Sequence, residues 1–170
     1  METGKLQEHL IRNTTKLYCV LDGASVPDLP NLLYKAAVPH VCLMQGETRA
    51  DMLYVAPYLV FLQNGETFTD TVLDNSDGKH WGIFAHSRHS MNEMRRHFSS
   101  LLNIYDEQGN PLLFRYYDPR VLRKFLPTCN GGELKTFFGK VESFFAETED
   151  GAGMTSFSLE NDALKTSELN

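Results

Sequence analysis

The stretch Phe114-Arg115-Tyr116-Tyr117-Asp118-Pro119-Arg120-Val121-Leu122 constrains the chain more than any other, because it changes backbone type within a few residues. Leu112, Leu113, Phe114, Tyr116 and Tyr117 are branched or aromatic side chains that favour a strand, and they follow a run of turn formers from Asp106 to Pro111. Asp118 has the short acceptor side chain that caps free amides, and Pro119 suits a first helical turn, where its missing N–H is no loss. A strand is therefore expected to pass into a helix with no loop. Arg115, Arg120 and Arg123 crowd this junction, which leaves three readings open: an anion site, a partner surface, or internal bracing.

The rest of the chain supplies strands and helices in alternation. Leu17-Tyr18-Cys19-Val20-Leu21 is a continuous apolar run ended by Asp22-Gly23, as expected of a strand buried on both faces. Leu29, Leu32, Leu33 and Ala36 then fall on one helical face after Asp28. Further strands are expected at 40–44, 54–62 and 81–85, with Pro57 arguing for an edge position or a bulge. A weak helix is expected over 67–73. Ser90-Met91-Asn92-Glu93 spells a capping box, and Met91, Met94, Phe98, Leu101 and Leu102 form the apolar stripe of the helix it opens. Ile104-Tyr105 and Leu112 to Tyr117 should form a hairpin around Gly109-Asn110. Asn130-Gly131-Gly132-Glu133 starts another short helix stopped by Gly139, and 141–146 makes a last strand. Residues 1–15 read as a polar extension in which Leu6, Leu10 and Ile11 can pack as a short stripe.

A chain of 170 residues can bury roughly 70% of the surface its unfolded form exposes, so neither disulfide nor metal is needed to hold it. The fold class is α/β: a single domain over 16–146 with a mixed β-sheet flanked by helices. Residues 147–170 read as a flexible acidic C-terminal tail, since six carboxylates and one lysine give that segment a charge of −5 and leave −1 for the rest. A near-neutral body argues against nucleic acid and against anionic membranes. Cys19, Cys42 and Cys129 are odd in number and widely spaced, which fits reduced thiols in a cytoplasmic protein. No apolar run approaches the length of a membrane span, and the first residues lack the pattern of a signal peptide.

Candidate chemistry is sparse. His80, His86 and His89 invite a zinc reading, but further ligands are not placed to complete it, so no metal is expected. There is no Gly-x-Ser-x-Gly turn and no phosphate loop ending in Lys-Ser/Thr. Asp22 and Asp118, both at strand ends, can share an acid–base site with Arg120, which gives the alternative reading of a small hydrolase or transferase. Capping, or pairing with arginine, is the preferred role for both. Arg88, Arg95, Arg96, Arg115, Arg120 and Arg123 offer contacts to phosphate, RNA or an acidic peptide, against which stands a solvated helix face plus structural ion pairs.

Five pieces occur in one order: Leu17 to Gly23; Ala56-Pro57-Tyr58-Leu59-Val60; Trp81-Gly82-Ile83-Phe84; the helix from Glu93 to Phe98; and Phe114 to Leu122 with Phe125-Leu126-Pro127. Together they resemble the bacterial type VI secretion adaptor family known as domain of unknown function 4123, over residues 16–146. The resemblance implies a cytoplasmic chaperone or adaptor that binds a secreted toxic effector and helps load it onto the spike protein of the secretion apparatus. It implies no catalysis, no cofactor, no nucleic acid and no direct membrane insertion. Asp22, Gly23, Pro57, Trp81, Arg115, Tyr117, Asp118, Pro119 and Arg120 are then structural motif residues. The motif leaves the partner-binding surface unassigned. Many members carry a further C-terminal lobe, in place of which this chain has its acidic tail, so effector recognition by such a lobe is not carried over.

Overall fold

In the computed structural model, which describes residues 3–46 and 49–169, strand β1 (Lys16–Asp22) is an inner strand of a seven-stranded sheet. The other strands are β2 (His40–Cys42), β3 (Pro57–Leu62), β4 (Gly82–Ser87), β7 (Ser143–Glu147), β8 (Met154–Glu160) and β9 (Ala163–Leu169), in the order β2-β3-β1-β4-β7-β8-β9. Helices α1 (Thr3–Leu10), α2 (Leu29–Ala36) and α4 (Thr67–Asp74) cover one face, and α5 (Met91–Leu101), α6 (Pro119–Phe125) and α7 (Gly131–Phe138) the other. A short α3 (Ala50–Leu53) precedes β3, and β5 (Asn103–Tyr105) and β6 (Pro111–Leu113) pair as a separate hairpin. No helix among the described residues is long and apolar enough to cross a membrane.

Strand β1 decides the layering, because its side chains alternate between two dry cores. Tyr18 and Val20 join Met94, Phe98, Tyr116, Leu122, Phe137 and Phe144. Leu17, Cys19 and Leu21 join Leu6, Leu10, Leu29, Leu33, Phe68 and Phe145 on the other side. The stretch read as an extension therefore supplies α1, whose Leu6 and Leu10 are fully buried. Burial on both faces follows from a helical layer on each side. It carries no information about strand direction, which is why the expected mixed sheet turns out antiparallel in all six of its strand pairings.

Two further expectations are corrected. Pro57 lies neither at an edge nor in a bulge: β3 runs between β2 and β1, and Pro57 is its first residue, a position where a missing N–H is tolerated. The stretch expected to be a mobile tail is folded as the hairpin β8–β9, which extends the sheet from β7. Its turn is Asn161-Asp162, both with positive φ (51° and 64°), between the paired Glu160 and Ala163. That two-residue turn is a hairpin signal, and the polar composition of β9 reflects an edge strand that buries little. Met154 and Phe157 hold the hairpin by entering one core each.

Candidate functional site

Antiparallel pairing brings the end of β1, the starts of β3 and β4, and the end of β7 to one end of the sheet. Two of these strands close on a carboxylate, Asp22 on β1 and Glu147 on β7, and both side chains are buried. Segment 114–118 crosses the same end before α6. The strand expected to run straight into that helix stops at Leu113, because Phe114, Tyr116 and Tyr117 turn inward against the aromatic cluster instead of pairing. Tyr116 is completely buried, with its hydroxyl donating to the Phe98 carbonyl at 2.9 Å, and burial pushes its ionisation well above the ordinary tyrosine value.

The three arginines of the junction divide their partners. Arg115 Nη2 donates to Asp22 Oδ2 at 2.6 Å and lies 4.0 Å from Asp118 Oδ2, so one guanidinium links the two carboxylates. That hydrogen bond to Asp22 raises the already high pKa of Arg115. Arg120 grips Asp118 through Nε at 3.0 Å and Nη2 at 2.7 Å, the bidentate geometry that guanidinium and carboxylate favour. Arg123 Nη1 donates to the backbone carbonyl of Glu147, and the Glu147 carboxylate accepts from the ring and the backbone N–H of His80. Three guanidinium groups and three carboxylates thus share the sheet end.

Each carboxylate is occupied on both oxygens. Asp22 Oδ1 accepts from the Ala24 N–H at 2.9 Å, and Oδ2 accepts from Ser25 Oγ at 3.1 Å besides Arg115. Asp118 Oδ1 accepts from the Arg120 N–H at 2.9 Å, which is the helix cap expected from the sequence. Burial pushes the Asp118 pKa up, but the Arg120 side-chain and backbone hydrogen bonds and the nearby guanidinium charges outweigh it, leaving the carboxyl below its ordinary value. A general base needs a pKa near the working pH, and the Asp118 carboxyl is held below its ordinary value instead. Asp22 and Asp118 pair with Arg115 and Arg120 and tie a helix start to a strand end, the geometry of internal bracing.

The remaining motif residues support the same point. Gly23 is required by close approach: a Cβ there would lie 2.6 Å from the Ala56 carbonyl oxygen and 2.8 Å from that of Tyr54. The Trp81 carbonyl accepts from the Asp22 N–H at 2.8 Å, and the Lys79 ammonium sits 5.9 Å from the Trp81 ring centre. Tyr117 is buried beside Arg115, and burial, then the charge of Asp22, raise its pKa. Pro119 opens α6.

The other candidates do not converge. His86 is buried and its Nε2 donates to the Leu10 carbonyl at 2.6 Å, His89 pairs with Glu93 at 3.1 Å, and His80 serves Glu147. Arg88 pairs with Glu142, while Arg95 and Arg96 lie on the exposed side of α5. Two features escaped the sequence reading. Glu147, expected in the acidic tail, instead terminates the apolar strand β7 as Asp22 terminates β1. The hairpin β5–β6 forms as expected, but its exposure is not anticipated: Ile104, Tyr105, Leu112 and Leu113 are 43%, 69%, 47% and 49% exposed. Four consecutive apolar residues from Pro111 to Phe114 were the available signal.

Fold and junction together define an antiparallel three-layer α/β domain whose charged sheet end is a structural brace. By the match of its residues 17–136 to the family model, the chain belongs to the family described as Domain of unknown function (DUF4123). The match runs from β1 into α7 and leaves β7, β8 and β9 outside it. No curated protein and no solved structure matches the chain.

Proposed function

We propose that the protein is a cytoplasmic adaptor or chaperone that binds a toxic effector of a bacterial type VI secretion system and helps load it onto the spike protein, without catalysing a reaction. The observation that carries this reading is where the domain leaves bonding capacity unused. At the sheet end Asp22 and Asp118 are bound by Arg115 and Arg120, whereas the hairpin β5–β6 turns four large apolar side chains to solvent. Apolar surface concentrated in one place is the usual mark of a protein-binding region. Membership of the family adds support, since the motif pieces that resemble the secretion adaptors lie within the matched residues.

Coexpression with the effector and spike encoded by neighbouring genes, followed by pull-down on this chain, tests the proposal. Both proteins are expected to co-purify, and deletion of the gene is expected to stop delivery of that effector while its synthesis continues. Delivery unchanged by the deletion, with neither protein co-purifying, would overturn it.

A further inference from the structure

Of the eight large apolar side chains exposed among the described residues, four lie between positions 104 and 113. Ile104 pairs with Leu112 across the hairpin, so the two share a face. Ile104 also forms one wall of a groove of about 510 Å³, whose floor and other walls come from Leu101, Phe114, Phe125, Thr136 and Phe137. The floor is rigid, because Phe114 packs edge-on to Phe125 with ring centres 4.7 Å apart, and Phe125 lies 5.3 Å from Phe137. The groove therefore has an aromatic and aliphatic floor open to solvent, rimmed by polar side chains that include Asn103, Asn130 and Glu133.

Two observations choose the occupant. The hairpin strands are three residues each and β6 begins with Pro111, so an added strand would gain very few backbone hydrogen bonds. Insertion of side chains into the groove is the better mode. The only charged side chain lining the groove is Glu133, and residues 103–113 contain Asp106 and Glu107 with no Lys or Arg. Lys124 precedes Phe125 on α6 but does not line the groove. The geometry points to a docking site for an amphipathic helix of a protein partner, its apolar stripe seated between the Ile104–Leu112 face and the Phe114–Phe125–Phe137 floor, its flanks basic. This rests on the adaptor reading and names the surface that would serve it.

A synthetic helical peptide of about 18 residues, long enough to hold a helix on binding, serves as probe. Its leucines stand at i, i+3, i+4 and i+7 with lysines between, and two controls accompany it: the same composition scrambled, and glutamates in place of lysines. Fluorescence anisotropy on the full chain should show binding of the leucine–lysine peptide at least about ten-fold tighter than either control. The double variant Ile104→Thr/Leu112→Thr, which keeps β propensity, should lose about ten-fold or more with its thermal midpoint unchanged. Thr136→Trp, which fills the groove from α7, should do the same independently. Equal binding of all three peptides, or undiminished binding by both variants, would overturn the site. So would a dimer of the wild type that the double variant dissolves, since the occupant would then be a second copy. If effector and spike co-purify with the double variant as with wild type, the groove fails and the adaptor reading stands. If the peptide pattern holds and neither protein co-purifies, the adaptor reading fails and the groove stands.

Discussion

The sheet end and the hairpin β5–β6 lie on either side of the same short segment, residues 114–118, and they use their side chains in opposite ways. At the sheet end, Asp22, Asp118 and Glu147 are buried, and each accepts hydrogen bonds on both carboxylate oxygens. On the hairpin, all six residues of two short strands meet solvent, and its large apolar side chains are left only partly covered by their own chain. A cluster of charged residues at a strand end resembles an active site in a sequence, yet here it holds the frame together. The apolar hairpin resembles an ordinary strand, yet it leaves four large apolar side chains exposed.

This contrast can be broken by measurement, most forcefully at Gly23. Its missing Cβ would meet three backbone atoms within 3.0 Å, none of which can swing away. Gly23→Ala is expected to cost about 3 kcal/mol or more, seen as a large drop in the urea midpoint or as loss of soluble protein. A variant as stable as wild type would mean the brace tolerates movement. Asp22→Ala comes next, at about 2 kcal/mol. It removes the acceptor of Ala24, Ser25 and Arg115, and the cost stays below that of a fully buried pair because Arg115 is partly solvated.

Asp118→Asn keeps the helix cap and removes the charge, so its cost at neutral pH should be about 1 kcal/mol. The folded pKa of Asp118 lies below its ordinary 3.8, so the stability it contributes is fully present above that value and is lost as pH falls through the lower, folded one. Wild-type and variant unfolding curves should therefore converge in strong acid, and a gap that persists there would assign the effect to packing. The smallest effect is expected on the hairpin, where Leu113→Thr should change stability by less than about 0.5 kcal/mol. A loss matching that of Asp22→Ala would show that the hairpin is part of the frame, and would erase the distinction between the two regions.

Legibility in the sequence followed the range of the interaction. The Ser90–Glu93 and Asn130–Glu133 capping boxes and the Asp118–Pro119 helix start were all readable, because each is made within four residues of chain. The pairing of Arg115 with Asp22 was readable as one of two options, since Arg120 had an equal claim until the structure gave it Asp118. Strand direction was hidden: Leu17 to Leu21 reports that both faces are buried, and antiparallel neighbours under two helical layers produce the same apolar run as parallel ones. Glu147 was hidden by composition, since the acidic residues that follow it made a buried carboxylate look like the first of a solvated series.

The place of β7 has a consequence for the order in which the protein is made. Strand β4 pairs with β1 on one side, and the partner for its other side is Ser143–Glu147, encoded only after α5, the hairpin β5–β6, α6 and α7. While synthesis passes from residue 87 to residue 143, the nascent polypeptide holds an unpaired strand edge beside an aromatic core that still lacks Phe144. At about 5–20 residues per second that interval lasts seconds, long compared with the formation of a hairpin. An emerging copy is most vulnerable to strand exchange with its neighbours on the polysome during that window, and the arrival of β7 closes it.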